Sequence, residues 1–91
     1  MDEQIQITEW AEERLRATAM VYPVSLDALR DAFREIRFQH ALLTEDMVLG
    51  IIVEANEAAP KYGHSWLFMA KAWAMEMAAS EFAKAASGKP E

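Results

Sequence analysis

Apolar residues recur every three or four positions along much of this chain, which is the spacing of one face of an α-helix. The clearest stripe occupies the second quarter of the chain, with steps that alternate between three and four. Its members are Leu26, Leu29, Phe33, Ile36, His40 and Leu43. Phe38 lies off this stripe, so either the helix ends near Arg37 or Phe38 extends a contact surface.

The pattern predicts four helices, over residues 8–21, 25–38, 44–58 and 65–86. Each segment begins at a hydroxyl side chain that can accept a backbone N–H of the first turn. These residues are Thr8, Ser25, Thr44 and Ser65. Prolines 23 and 60 predict the ends of the first and third helices, because a proline disfavours helical backbone at the residue before it. The expected fold is an all-α, compact bundle of about four helices with short connections.

The length of the chain predicts one domain, because 91 residues leave no room for a second core. That domain is expected to span 1–86, with 87–91 as a flexible tail. Residues 47–53 are rich in β-branched side chains and could form a helix or a buried strand. We favour a helix, because Thr44 is a good cap and no second strand is available for pairing. A close approach of two helices would be one reason for Gly50 inside it.

The fourth segment is apolar on two sides. One side carries a stripe with alternating steps of four and three, which predicts the contact with the core. This stripe consists of Phe68, Ala72, Met75, Ala79, Phe82 and Ala86. The other side is also apolar in its first half, at Trp66, Met69 and Trp73, with Met77 at its border. Either another segment of the chain covers these four side chains, or they bind another protein, since Trp and Met are enriched at interfaces.

Charged residues are arranged in rows along the chain, whose net charge is −6. Arg30, Arg34 and Arg37 form a basic row on the second helix, beside an acidic row that can pair with it as Asp27–Arg30 and Asp31–Arg34. The stretch 44–60 has four acidic residues and no basic one, which predicts an electrostatic surface that could steer a basic partner. Those four residues are Glu45, Asp46, Glu54 and Glu57.

The sequence offers little that predicts catalysis or metal binding. The absence of cysteine excludes disulfides, zinc–thiolate sites and iron–sulfur clusters. His40 is interpreted as a satisfied core or interface residue, His64 as part of a turn or cap, and the pair Glu54 and Glu57 as a solvated face. No phosphate-binding loop, nucleophile elbow or catalytic triad can be identified. We therefore expect no enzymatic activity, no metal and no cofactor.

A membrane span is not expected either. The longest apolar segment, 66–82, is interrupted by Lys71, Glu76 and Glu81, and each charge would cost about 2.5–3.5 kcal/mol near the centre of a bilayer. Residues 1–4 are acidic and lack the basic start and apolar stretch of a secretory signal. The expected location is the cytoplasm.

Two hypotheses for function follow from these patterns. The first is a small acidic, non-catalytic protein-interaction module, such as an adaptor, inhibitor or regulatory subunit. It would act through Trp66, Met69, Trp73 and Met77, and its partner would be a second copy or a different protein. The alternative is a dimeric helix-turn-helix-like regulator that contacts DNA phosphates through Arg30, Arg34 and Arg37. The negative net charge and the acidic start of the third segment argue against nucleic acid.

Overall fold

A computed structural model describes residues 7–63 and 65–87 of the chain. Four helices account for most of them: α1 (Glu9–Val21), α2 (Leu26–Gln39), α3 (Glu45–Tyr62) and α4 (Trp66–Ser87). The prediction of an all-α bundle is confirmed, and residues 47–53 are helical. Within the part of the chain that is described, no helix is both long and apolar enough to cross a lipid bilayer.

The four helices begin at the four predicted hydroxyl residues. In each case the side-chain oxygen accepts the backbone N–H of the third residue along, at 3.0–3.2 Å. This satisfies one of the N–H groups that a helix leaves without a partner in its first turn. The hydrogen-bonded pairs are Thr8–Ala11, Ser25–Ala28, Thr44–Met47 and Ser65–Phe68.

Two helix ends differ from the sequence prediction. Helix α2 continues to Gln39, past Arg37, so Phe38 projects from helical backbone and is exposed. Helix α3 does not stop before Pro60 but runs through it to Tyr62. Pro60 lies in the last turn, where its missing N–H removes a single hydrogen bond. The helix then ends at Gly63, whose left-handed backbone (φ 71°) donates its N–H to the carbonyl of Ala59.

Helix α3 lies at the centre of the bundle and contacts each of the other three helices. Helices α1 and α4 do not contact each other over the described residues. The predicted stripe of α2 is confirmed as its inward face, since Leu29, Phe33 and Ile36 are buried, and Ala11 and Leu15 of α1 are buried in the same core. The bundle is flat, and its smallest dimension of 21 Å corresponds to about two helix diameters.

The sequence suggests a close approach of two helices at Gly50, but the structure shows none there. Gly50 lies on the exposed side of α3, and a Cβ added there would meet no atom within 4 Å. The residue therefore weakens the helix without allowing a tighter contact in this chain.

We predict that Gly50→Ala stabilises the protein by about 0.5–1 kcal/mol, because alanine restricts the unfolded chain and favours the helix. Gly63→Ala is the matched control and should destabilise by about 1–2 kcal/mol, because its φ of 71° is strained for a residue with a Cβ. Urea unfolding of the two variants measures both effects. Equal changes at the two glycines would contradict this account of their roles.

Three features of the sequence analysis lie outside the described residues. They are the acidic segment 1–4, the turn or capping role of His64, and the predicted tail from residue 88 onward. Ser87, the first residue assigned to that tail, is the last residue of α4.

Candidate functional site

The face of α4 that packs on the core is the opposite of the one predicted. Ala70 and Ala74 are completely buried, and Met69 is 7% exposed. The stripe predicted to be the core contact instead points away from α3, with Met75 62% and Phe82 66% exposed. The prediction for this stripe is therefore wrong. We call it the outer stripe, and it consists of Phe68, Ala72, Met75, Ala79, Phe82 and Ala86.

The four residues predicted to bind a partner lie on or near the core side of α4. Met69 is part of the buried core, and Trp66 and Trp73 are half-buried and pack against it. Met77 lies at the edge of this face, where it borders a surface groove with Ile51 of α3. Their partner-binding role stays a prediction, but their packing within the chain does not favour it.

The sequence pattern is misleading because it does not show how far along α4 the contact with α3 extends. The start of α3 lies next to the last third of α4, since Met47 borders the same groove as Ser80 and Glu81. Lys84 is one turn farther on, close to the end of the core face, and it is exposed. Polar residues at the end of this face made it resemble a water-facing side.

The outer stripe is an apolar surface more than four turns of helix long. Its large side chains alternate with alanines, which leaves hollows between them. Beside it lies a shallow groove of about 420 Å³ between α4 and the turn that follows α2. The groove is lined by Met75, Ala78, Ala79 and Phe82 from α4, and by His40 and Leu42 from the other side.

Two further apolar side chains are exposed at the end of α2. Phe38 is 74% exposed, and Leu42, in the turn to α3, is 48% exposed. In the sequence, the position of Phe38 off the α2 stripe was the one indication that the apolar surface extends to the end of α2. Leu42 borders the groove beside Met75 and Phe82, so the apolar surface continues from α4 onto this turn.

A second groove, of about 670 Å³, lies between α1 and α3. Its apolar lining includes Trp10, Val21 and Leu49, and the exposed Gly50 leaves it open. The Arg14 guanidinium stacks over the Trp10 ring, 4.8 Å from its centre, at one edge. The apolar residues of this groove span a shorter length of helix than those of the outer stripe. Charged residues line the groove on both α1 and α3.

The arginine row of α2 is engaged by acidic residues of the same chain. Both predicted pairs are present, with Arg30–Asp27 at 3.0 Å and Arg34–Asp31 at 3.8 Å. Arg30 also donates to Glu12 of α1 through Nε, at 3.1 Å, and through its terminal nitrogen. Such pairing lowers the positive potential available to a DNA phosphate, so the geometry does not favour the DNA-binding alternative.

The contact between Glu12 and Arg30 also changes an acid–base equilibrium. Hydrogen bonding to Arg30 lowers the pKa of Glu12 below its ordinary value of 4.5, and partial burial opposes this effect. Because the folded state holds the carboxylate more strongly than the unfolded state does, the contact stabilises the fold above about pH 4.5. That contribution is lost as the pH falls through the lowered pKa.

The four acidic residues of the predicted electrostatic surface have different environments. Glu45 is half-buried, accepts the Thr8 hydroxyl at 3.0 Å and lies 3.6 Å from Arg37. It therefore joins α1, α2 and α3 within the chain. Asp46, Glu54 and Glu57 are exposed and remain available as an acidic surface.

The described residues show no arrangement with an evident chemistry. Over 7–63 and 65–87, no three histidine, aspartate or glutamate side chains come together as a metal site. His40 is half-buried at the end of α2, where its backbone N–H bonds to the carbonyl of Ile36 at 2.9 Å. Glu54 and Glu57 are both exposed on α3. The apolar surface of α4 and the α2–α3 turn is therefore the candidate functional site.

Comparisons with known proteins give no relative for this chain. No protein-family model, curated protein or solved structure matches it.

The burial pattern predicts opposite effects of two neighbouring substitutions in α4. We expect Trp73→Ala to cost about 2 kcal/mol or more of stability, because its half-buried ring packs on the core. Met75→Ala should stay within about 0.5 kcal/mol, because its side chain is mostly in water. Urea unfolding at low protein concentration measures both values. A larger loss at Met75 would mean that the outer stripe is the core face after all.

The lowered pKa of Glu12 predicts a pH-dependent loss of stability in Glu12→Gln. The variant should melt below the wild type at pH 7, where the wild-type carboxylate is charged and holds Arg30. The difference should shrink as the pH falls below about 4.5, where the unfolded wild type takes up a proton at this carboxyl, and should be lost once the pH has passed below the lowered pKa of the folded state. Glu13→Gln, at an exposed position on the same helix, is the control and should show a small difference at every pH. A gap that stays constant with pH would contradict this role for the pair.

Proposed function

We propose that this chain is a small acidic, non-catalytic protein-interaction module that binds another protein chain through the outer stripe of α4. The role would be that of an adaptor, inhibitor or regulatory subunit. The observation that carries the proposal is the exposure of Met75 and Phe82 on one face of a helix whose other face already forms the core contact.

Isolated apolar residues are common on protein surfaces, but a continuous apolar patch is typical of an interaction site. Here the exposed side chains follow one helix face and continue onto Leu42 across a groove. A helix or similar apolar element of a partner would remove this surface from water at about 25 cal/mol per Å². Burial of this kind, rather than charge, would supply most of the affinity.

Charge would act on the approach of the partner. The exposed acidic residues Asp46, Glu54 and Glu57 lie on α3, away from the outer stripe. They would favour a basic margin if the partner is a different protein, would slow the approach of a second acidic copy, and disfavour nucleic acid. The pairing of the α2 arginines within the chain supports the same choice.

A site-specific photocross-linking experiment tests this function. A benzophenone side chain replaces Met75 in the full chain, and the protein is irradiated in a native extract. We expect an adduct of defined mass that contains this chain and a second protein chain. Adding Ala79→Glu should remove the adduct, because a charge in the middle of an apolar contact is costly to desolvate.

Arg16, on the exposed side of α1, provides the control position for the same photoreactive group. It should give no adduct that depends on Ala79. If Met75 cross-links no more than Arg16 does, the outer stripe does not contact a protein and the proposal is wrong.

A further inference from the structure

The outer stripe has the spacing of a coiled-coil seam, with steps of four and three over its whole length. Its two heptad positions differ in size. One position is always large (Phe68, Met75 and Phe82), and the other is always alanine (Ala72, Ala79 and Ala86). A helix that packs on this seam must therefore fill a hollow at every alanine and make room at every large side chain.

The seam is symmetric about residue 77 in a way that exchanges large and small. Met75 and Ala79 lie two residues to either side of it, and Ala72 and Phe82 lie five residues to either side. The same holds for Phe68 and Ala86 at nine residues. If a second α4 runs antiparallel with a twofold axis at residue 77, every large side chain is level with an alanine of the other copy.

A parallel pair lacks this complementarity. It would place Met75 against Met75 and Ala79 against Ala79 of the other copy, so wide and narrow layers would alternate along one helix pair. Two packed helices have a nearly constant separation, commonly 8–10 Å, which cannot suit both kinds of layer. The antiparallel arrangement instead gives every layer one large side chain and one alanine.

We propose that the occupant of the outer stripe is a second copy of this chain, paired through antiparallel α4 helices about a twofold axis at residue 77. This inference rests on the proposed function and names the partner for the same surface. The arrangement is isologous, so each contact occurs twice. The central contacts of the dimer are two layers of Met75 with Ala79 and two layers of Ala72 with Phe82.

The two flanks of the seam differ in charge. On the flank toward α2, Lys71 pairs with Glu35 at 3.1 Å, and Ala78 lines the groove next to Leu42. On the other flank Glu76 lies one residue from the axis, so it comes close to Glu76 of the second copy. This like-charge contact weakens the dimer, and we expect Glu76→Gln to tighten it about two- to tenfold.

The contact between two single helices is small. A pair of helices that share one seam falls at or below the low end of specific interfaces, about 1,200 Å². The exposed Leu42 beside the groove can add to it. The expected dimer is therefore weak, with a dissociation constant in the micromolar range or above.

Light scattering on the purified full chain measures the association directly. The mass should rise from 10.3 kDa toward twice that value as the concentration increases. Ala79→Glu should keep the protein monomeric, and Glu76→Gln should shift the transition to lower concentration. Glu57→Gln, an exposed substitution on α3, is the matched control and should leave the transition unchanged.

Two single-cysteine variants determine the orientation, because the natural chain has no cysteine. In the antiparallel pair, residue 76 is displaced from its own mate by about 3 Å along the axis, and residue 72 by about 15 Å. A short bifunctional thiol reagent should therefore link Glu76→Cys to itself and leave Ala72→Cys unlinked. A parallel pair would give the reverse, because its residues 72 face each other across the seam.

The outcomes separate this inference from the proposed function. Concentration-dependent dimerisation with cross-linking at 76 and not at 72 supports the antiparallel pair, and the reverse pattern overturns it. A strict monomer that still forms the Met75 photoadduct with a different protein also overturns the self-pairing, but leaves the interaction module intact. A monomer that forms no such adduct overturns both.

Discussion

The constraint on which this structure depends is that α4 is apolar on two opposite sides, whereas the described residues cover only one of them, chiefly through α3. Helix α3 contacts all the other helices, and α1 and α4 are too far apart within the described residues to meet. A chain of 91 residues has a high ratio of surface to volume and cannot enclose a 22-residue helix completely. One face of α4 therefore forms the hairpin with α3, and the other is left exposed.

Electrostatic contacts complement this apolar arrangement by joining the helices at their margins. Glu12 of α1 holds Arg30 of α2, and Lys71 of α4 holds Glu35 of α2. Each pair is partly exposed, and such pairs add little stability individually. Their main effect is that charged side chains of α2 are paired within the chain. The surface that remains for a partner is therefore apolar on α4 and acidic on α3.

The sequence was sufficient to predict the four helices, their caps and the inward face of α2. Those features depend on local chemistry, such as the Ser25 hydroxyl, or on a single apolar stripe such as the one through Phe33. The inward face of α4 could not be chosen in the same way, because both of its faces are apolar. The choice depends on Ala70 and Ala74, whose small size lets α4 lie close to α3, and on the start of α3, which lies beside the last third of α4 and does not extend past Lys84. Neither is visible in the periodicity of α4 alone.

The alanines of the outer stripe are as informative as its large side chains. A stripe with leucine at every seam position would bury more area, but it would accept many apolar helices in either orientation. Alternation of Phe or Met with Ala lowers the apolar area and restricts good packing to a surface with the complementary order. The α4 helix carries that order when it is read in the opposite direction. In the proposed pair, the same residues that leave this face exposed within the described residues would select a second copy of the chain to cover it.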